Sequence, residues 1–413
     1  MVDTYIDPQS GKPLDFGVES FLDLGNATGF LDRFGLERIP VPPPNDAATT
    51  HYVDFRTGTA VNISMPPIDA QMAAMVRLAD VVKPWTSYIQ PGYWDFWAPA
   101  DVPQDLLIPY GDFVEKYGLE DAIPLIYQTT GMGLGNMTRQ TTLFVLQAFG
   151  TYMAESMIGQ IGSFAIKGGN QALYNAVEKD LGSDALYNST VIFADRTDHG
   201  VFLLVQNHVT GHITSITARR LLVAIEPTAS NTEALDLDPS ESAILSKFTY
   251  SRLYTALVKS PALAAASSSY FNLPTAAAPH NYLVLPEFPF TNSFTYTGMD
   301  QLFSTIIVGD DSLDAVQAKA MAQENFDTLL QAVGQHGTTT TAAGLEWVDF
   351  AVHGPMHARV TPEEIKSGFF MQLYALQGQR STWWTGGAFA CNFQTTLWQF
   401  DEILIPKILA GLD

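Results

Sequence analysis

The C-terminal part of the chain, a short strand followed by glycines and then by a helix, restricts the possible folds more than any other segment. Residues 381–384 are typical of a strand, Thr385, Gly386 and Gly387 follow it, and a helix is predicted to begin near Gln394 to Thr396. Glycines let a ligand approach the bare backbone, and the free N–H groups of a helix N-terminus attract anionic or carbonyl-rich groups. The pattern therefore predicts a ligand site between the strand end and the helix.

Helical periodicity predicts several further helices. Residues 65–83 and 138–161 place apolar side chains at spacings of three and four, and Asn170 precedes a short helix that ends at Gly182. Thr361, Pro362 and Glu364 have the pattern of a capping box for a helix that runs to Gly378. One more helix is expected from about Asp311, with a buried side formed by Leu313, Val316, Leu329, Leu330 and Val333.

Strand patterns are concentrated in the middle of the chain. Residues 190–194, 200–206 and 213–218 are β-branched or alternate in polarity, which predicts an antiparallel meander. Residues 221–225 form a continuous apolar run before Pro227, which is typical of a strand covered on both faces. Further strands are predicted at 282–285, 305–308 and 347–352.

The composition is that of a packed, acidic, globular protein. The 413 residues are 46% hydrophobic and 15% charged, against a charged fraction of about 25% in soluble domains, and this excludes disorder. The net charge of −22 repels nucleic acid and anionic lipid, and no apolar run reaches the ~18 residues of a membrane span. We therefore expect a small-molecule substrate and neither a nucleic-acid nor a membrane partner, with the oligomeric state open.

Three motifs that suggest chemistry are weaker than they first appear. One is the lone Cys391, which could be a reactive or flavin-linked thiol but is more often a small, buried apolar residue. Gly131, Gly133 and Gly135 do not have the spacing of a dinucleotide fingerprint, so a loop is favoured. His353 and His357 are separated by Gly354 and Pro355, which disfavours the helix that paired metal ligands need. No metal site is expected, and the two histidines remain candidates for a structural or substrate-facing role.

Residues 376–390 (LQGQRSTWWTGGAFA) and 395–400 (TTLWQF) resemble the C-terminal pattern of fungal FAD-dependent oxidoreductases related to β-cyclopiazonate dehydrogenase, within the flavin amine oxidase superfamily. The resemblance extends to residues 13–18 (PLDFGV), to the Gly168–Gly169–Asn170 turn and to the meander. It implies an α/β fold with a Rossmann-like FAD-binding domain, incomplete at its N-terminus, and a discontinuous α+β substrate domain. The expected divisions are 1–45, 165–228 and 375–413 for the FAD domain and 46–164 and 229–374 for the substrate domain.

The same resemblance assigns roles to individual positions. Cofactor contacts transfer to Thr385, Gly386, Gly387, Gln394 and Thr395, and the backbone near Val191 is expected beside the adenine. The helix dipole would stabilise negative charge on the reduced flavin. No catalytic residue is assigned, and the candidates for the substrate pocket are His353, His357 and Tyr254.

The family pattern begins with a strand, a G-x-G-x-x-G turn, a helix and an acidic residue, and this chain lacks all four. Met1 to Tyr5 align after that unit, so roughly fifty residues of the pattern are expected to be missing, and a truncated gene model explains this better than loss of the cofactor. The first residues show no signal peptide. A cytoplasmic location is expected for the chain as it stands, and secretion only if a missing segment carries a signal.

The expected activity is FAD-dependent dehydrogenation of a small, largely apolar metabolite by hydride transfer to flavin N5, in fungal secondary metabolism. Two alternatives remain open. One is a flavin-free, non-catalytic remnant or binding protein. The other is an amine oxidase, although residues 254–256 lack the lysine that many such enzymes place near flavin N5.

Overall fold

The computed structural model describes residues 2–42, 48–264, 267–299, 301–333, 344–390 and 393–412. The strands are β1 (Thr4–Ile6), β2 (Pro13–Asp15), β3 (Phe21–Leu22), β4 (Arg38–Ile39), β5 (Thr49–Asp54), β6 (Thr59–Ala60), β7 (Ser163–Ile166), β8 (Ser189–Thr197), β9 (Gly200–Asn207), β10 (Ile213–Ala218), β11 (Leu221–Val223), β12 (Thr249–Lys259), β13 (Ser268–Asn272), β14 (Phe290–Tyr296), β15 (Leu302–Asp310), β16 (Glu346–Arg359) and β17 (Thr382–Trp384).

The α-helices are distributed between these strands. They are α1 (Ala27–Arg33), α2 (Ile68–Val82), α3 (Thr86–Ile89), α4 (Tyr110–Tyr117), α5 (Ile123–Thr129), α6 (Thr142–Ala148), α7 (Thr151–Met157), α8 (Gln171–Leu181), α9 (Ala229–Thr232), α10 (Pro239–Leu245), α11 (Pro261–Ala264), α12 (Ala315–Val333), α13 (Pro362–Lys366), α14 (Phe369–Tyr374) and α15 (Gln394–Leu409). Among the described residues, no helix is both long and apolar enough to cross a bilayer.

A mixed seven-stranded sheet is the largest element of the fold, with the strand order β16-β12-β15-β14-β13-β5-β6. Side chains alternate between its faces, so neighbouring residues of one strand enter different cores. Tyr254 and Ile307 pack on one face with Phe326 of α12. Leu253 and Ile306 face the opposite way and join the main core, which contains most of the helices between α2 and α7.

A second region contains the meander and a short parallel pair. Strands β8, β9 and β10 form the antiparallel sheet that the sequence predicted. Strand β11 pairs in parallel with β17, with Leu221 opposite Thr382 and Val223 opposite Trp384. The two partners are far apart in the sequence, so the carboxyl end of β11 is brought beside the glycines that follow β17.

Two predicted helices are interrupted. The helix expected at 138–161 is divided into α6 and α7, because Gly150 adopts an extended backbone between them. The helix expected from Thr361 to Gly378 is divided into α13 and α14 by Gly368, which has a φ of 85°. Thr361 does accept a hydrogen bond from the Glu364 N–H, but the Glu364 carboxylate pairs with Lys247 instead of closing the box.

The remaining differences concern burial and one strand. Residues 282–285 form turns and irregular backbone instead of a strand. Val316 lies on the outer side of α12 and is 78% exposed, because the buried stripe of that helix follows Ala318, Ala322 and Phe326. Only residues 221–223 of the 221–225 run form a strand. The run is not covered on both faces, since Leu222 is 38% exposed and Ile225, beyond the strand, is 49% exposed.

Candidate functional site

The diglycine corner, which we define as Thr385, Gly386 and Gly387, turns the chain sharply after β17. The Thr385 N–H donates to the Val223 carbonyl at 2.9 Å, which continues the parallel pairing by one residue. Gly386 has a φ of 106°, and a Cβ placed on it would lie 3.9 Å from the nearest atom, the Ala224 oxygen. The backbone at this residue is therefore open to a ligand at the carboxyl ends of two parallel strands, where α/β sheets bind ligands.

The N-terminus of α15 supplies the second wall of the site. Its N-cap residue Phe393 offers no side-chain acceptor, and the first turn contains no acidic residue. Thr395 and Thr396 in that turn are buried. The Thr385 hydroxyl donates to Asp401 Oδ1 at 2.6 Å, which ties the corner to the following turns of the helix. The first N–H groups of α15 thus have no acidic or capping side chain of their own, as expected at a ligand-binding helix end.

A third contact fixes the corner from the side of the main core. Gln147 on α6 donates from Nε2 to the carbonyl oxygens of Gly387 at 3.3 Å and Ala390 at 2.7 Å. Ala390 also forms a β-bridge with Gly92, which places the loop that contains Gln90 next to the corner. Hydrogen bonds to helix α6 and to the loop at Gly92 therefore fix the position of the diglycine corner.

Several buried polar atoms near this corner have no hydrogen-bond partner among the described residues. They are Gln394 Oε1, Thr396 Oγ1, Glu226 Oε2 and both terminal atoms of the Gln90 amide. Each buried polar group without a partner costs about 1–3 kcal/mol. A planar ligand with carbonyl and N–H groups along its edge, such as an isoalloxazine, fits an open glycine corner surrounded by such atoms.

Glu226 lies just beyond the end of β11 and was not identified from the sequence. Burial raises the pKa of its carboxyl group to about 7, and the Gly387 N–H offsets part of that effect by favouring the ionised form. The signal in the sequence was a single acidic residue between the apolar run 221–225 and Pro227. This carboxyl group is therefore partly protonated at neutral pH beside the corner.

The pH dependence of stability tests this assignment. The pKa of the carboxyl group is 4.5 in the unfolded chain and about 7 when folded, so its contribution is full below about pH 4.5 and is lost as the pH rises through 7. Glu226→Gln removes that titration. We expect the stability of the wild type to fall relative to the variant by about 3 kcal/mol between pH 4 and pH 8, measured by urea unfolding. Parallel pH profiles of the two proteins would contradict the assignment.

The two candidate histidines occupy the β16 strand of the large sheet. His353 Nε2 lies 2.9 Å from Thr255 Oγ1, on the face that joins the main core. Burial lowers the pKa of His353 to about 4. For His357, burial and then the nearby Arg359 charge lower the pKa to about 3. Both imidazoles are neutral at physiological pH. A neutral ring can orient a neighbouring group by hydrogen bonding, but it is poorly suited to accept and hold a proton.

His357 packs directly against the glycine-rich turn at 131–135. A Cβ on Gly133 would come within 2.4 Å of His357 Nε2, so the glycine at this position allows the close approach. Gly131–Leu134 is a 3₁₀ turn that follows helix α5 instead of a strand. This geometry agrees with the loop interpretation of the three glycines. Among the described residues, no cluster of three or more His, Cys, Asp or Glu side chains could hold a metal ion.

Tyr254 lies on the opposite face of the same sheet. It is 1% exposed in the core beneath α12, and its hydroxyl donates to the Leu313 carbonyl at 2.6 Å. This contact gives Tyr254 a role in attaching the segment before α12 to the sheet. The side chain therefore points away from the main core and the diglycine corner.

A conservative substitution separates a structural role for Tyr254 from a role in the pocket. Tyr254→Phe deletes one buried hydrogen bond and leaves the Leu313 carbonyl without its donor. We expect a loss of about 1–2 kcal/mol in the free energy of unfolding, with no change in flavin affinity or turnover. A variant of unchanged stability that lost flavin or activity would place the hydroxyl in the functional site.

Val191 is located on β8, where it is half-buried against the main core. The meander is joined to the residues before β17, because Arg380 donates to the Arg196 carbonyl of β8 at 3.0 Å. Cys391 lies outside the described residues. The site residues predicted from the C-terminal pattern are thus brought together around one corner, and Val191 belongs to the sheet attached to it.

Comparison with known proteins gives both relatives and structural neighbours. No family model matches the chain. Among curated proteins, the FAD-dependent oxidoreductase pigF of Monascus ruber is 29% identical over 99% of this chain and 84% of its own length. The β-cyclopiazonate dehydrogenase of Aspergillus flavus is 32% identical over 96% of this chain and 82% of its own length. The FAD-dependent oxidoreductase oblC of Cochliobolus heterostrophus is 30% identical over 100% of this chain and 84% of its own length.

Solved structures identify the fold. A conjugated-linoleic-acid-producing fatty acid isomerase from P. acnes superposes with a TM-score of 0.66 at 17% identity, over 98% of this chain and 89% of the other. Cyclohexylamine oxidase from Brevibacterium oxydans gives a TM-score of 0.56 at 14% identity, over 100% and 91% of the two chains. At such low identities these likenesses concern the fold alone, and they confirm the predicted α/β class.

Proposed function

The chain belongs to the fungal FAD-dependent oxidoreductases that include β-cyclopiazonate dehydrogenase, and we propose that it uses its diglycine corner to hold the flavin ring during dehydrogenation of an apolar metabolite. It is an FAD-dependent oxidoreductase of the kind found in fungal secondary metabolism. The substrate, the hydride route and the residues assigned below are our proposal.

The observation that carries this proposal is the open glycine corner facing an uncapped helix N-terminus. Thr385, Gly386 and Gly387 would lie along the flavin, and the first turn of α15, with Gln394 and Thr395, would supply N–H groups and polar atoms to its edge. The buried polar atoms that lack partners support the same placement, because ligand atoms would satisfy them. Val191 would lie on the adenine side.

Bound FAD would supply the two-electron acceptor. The protein would supply an electrostatic and apolar environment for that transfer. The positive end of the α15 dipole would favour negative charge on the ring edge nearest to it. Gln147 would keep the Gly387 carbonyl, and with it the corner, in a fixed position. His353, held by Thr255 on the face toward the main core, would orient the substrate as a neutral hydrogen-bonding group.

The apolar lining supports a largely hydrophobic substrate. The sheet face that carries Leu253 and Ile306 also packs with Phe288 and Phe290. Such a surface excludes water and contributes binding energy in proportion to its buried area. We assign this part of the chain to the substrate domain, residues 46–164 and 229–374, and the corner to the FAD domain, residues 1–45, 165–228 and 375–413.

Anaerobic mixing of the FAD-loaded protein with candidate metabolites tests the proposal. Bleaching of the visible flavin band by an apolar metabolite, with formation of a new double bond in the product, would support dehydrogenation. Bleaching by simple amines, with aldehyde and peroxide formed on admission of air, would favour amine oxidation instead. A folded protein that takes up no flavin would support a non-catalytic binding protein and contradict the proposal.

A further inference from the structure

Glu226 has a carboxyl oxygen without a partner beside the diglycine corner. The residue follows β11, which ends at Val223, and its Oε2 atom is buried with no hydrogen-bond partner among the described residues. The Gly387 N–H favours the ionised form of the carboxyl group. Two residues earlier, the Ala224 oxygen is the atom nearest to a Cβ built on Gly386. The carboxyl group therefore borders the backbone that, under the proposed function, lies along the flavin.

Tyr250, near the start of β12, faces Glu226 from the large sheet. It is 4% exposed and packs in the main core, and its hydroxyl oxygen is buried without a hydrogen-bond partner among the described residues. Burial and then the negative charge of Glu226 raise the pKa of this hydroxyl group, which is neutral at physiological pH. The two side chains thus influence each other without forming a hydrogen bond. The carboxyl group lies where the corner meets the sheet that we assign to the substrate.

The charge of Glu226 is not compensated by its surroundings. Burial is the main influence on the pKa of its carboxyl group and the Gly387 N–H is the other, and no basic side chain of the described residues contributes. Tyr250 is the titratable group on which the carboxylate acts, and Asp311 adds to that effect. A carboxyl group with no cation beside it binds a proton readily when a second negative charge appears nearby. Its pKa of about 7 also suits general base catalysis at neutral pH.

The other titratable groups of the site are poorer proton acceptors. Asp401 accepts the Thr385 hydroxyl at 2.6 Å, so one of its oxygens already holds the corner. Burial lowers the pKa of His353 to about 4 and that of His357 to about 3, so neither ring retains a proton at neutral pH. Among these groups, Glu226 combines an oxygen without a partner and a pKa near neutrality.

We propose that Glu226 accepts the proton that the substrate loses during dehydrogenation, with Tyr250 facing it across the site. The substrate loses two hydrogens from adjacent atoms. One C–H bond breaks and its electron pair leaves with the hydrogen, as hydride, to the oxidised cofactor. The second bond to hydrogen breaks, its electron pair forms the new double bond, and its proton goes to Glu226 Oε2. This proposal rests on the proposed function and adds a proton acceptor to it.

The number of protons taken up when bound FAD is reduced tests the proposal without a substrate. It is obtained from the pH dependence of the midpoint potential of the FAD-loaded full chain, measured against redox dyes between pH 5 and pH 9. Near pH 8 we expect the wild type to take up about 0.5–1 proton more per FAD than Glu226→Gln, because the negative charge of reduced flavin raises the pKa of the carboxyl group. Near pH 5 the two proteins should agree, since Glu226 is then protonated in both redox states.

Three further variants complete the comparison. Asp180→Asn removes a carboxylate from the surface pair with Arg33 and should follow the wild type. Tyr250→Phe removes a neutral hydroxyl group and should retain the additional proton. Glu226→Asp retains a carboxyl group and should recover part of the proton uptake. In anaerobic mixing with a metabolite that bleaches the wild-type flavin band, Glu226→Gln should slow the bleaching by about 100-fold or more, the usual contribution of a general base.

Four results would overturn the proposal. The wild type and Glu226→Gln could take up equal numbers of protons, or the wild type could take up a single proton per FAD at pH 8, a result that stands even if the Gln variant fails to fold. Loss of the additional proton in Tyr250→Phe alone would assign it to the phenol. A changed proton number with unchanged bleaching would place Glu226 near the flavin but outside the reaction. A folded chain that takes up no FAD overturns the proposed function as well, whereas the first four results leave that function intact.

Discussion

Gly386→Ala is expected to weaken FAD binding by at least about 100-fold, or about 3 kcal/mol, while the protein remains folded. The added methyl group would project into the open space beside the corner, where the nearest protein atom is 3.9 Å away. Under our account that space belongs to the flavin. The φ of 106° also makes any L side chain unfavourable, so we expect a stability loss of about 1–3 kcal/mol.

Gly159→Ala separates backbone strain from ligand contact. Gly159 has a φ of 76° and, like Gly386, has open space around it, but it lies in the loop between α7 and β7. Fluorescence titration with FAD and urea unfolding should show a comparable loss of stability in both variants and a loss of FAD affinity in Gly386→Ala alone. Equal FAD affinity in the two variants would mean that the corner does not contact the cofactor.

Removal of either member of the buried Arg196–Glu241 pair is expected to cost about 3–5 kcal/mol in the free energy of unfolding. Both side chains are fully buried, and the pair is bidentate, at 2.9 Å and 2.7 Å. Arg196 also donates to the carbonyls of Leu235 and Asp236. Glu241→Gln leaves the buried Arg196 without its counter-charge, which is the costly case. Arg196→Met leaves Glu241 only the longer contact to Arg380 at 3.4 Å, and Arg196→Met combined with Glu241→Leu should recover part of the loss.

An exposed ion pair provides the comparison. Arg33 and Asp180 lie 2.7 Å apart on the surface, with 64% and 50% of their side chains exposed. Arg33→Met should therefore cost less than about 1 kcal/mol. Urea unfolding of the single and double variants measures all of these values. A loss in Arg196→Met no larger than that in Arg33→Met would show that the buried pair does not hold the meander in place.

Local sequence signals predicted the elements around the site well. The meander, the strand before the glycines and the helix from Gln394 all formed, because alternation, glycines and helical spacing act within a few residues. The interrupted helices show the limit of such signals. The helices are interrupted at Gly150 and Gly368 in the folded chain, although the helical spacing of apolar residues continues on either side.

The pairing of strands that are distant in the sequence could not be predicted from local patterns. The parallel contact between β11 and β17 joins Val223 to Trp384, and no local pattern specifies that partner. For the same reason Tyr254 was grouped with the pocket, since only the strand register shows that it faces α12. Glu226 was missed because it is a single charged residue whose significance depends on its burial.

Hydrogen–deuterium exchange on the full chain, with and without FAD, tests the central claim most directly. If the flavin ring lies in the diglycine corner, FAD should slow exchange in Thr385, Gly386 and Gly387 and in the first turn of α15, with little change in the surface turn at Gly211. Binding of FAD that leaves the amides of the corner and the helix N-terminus unprotected would contradict the account.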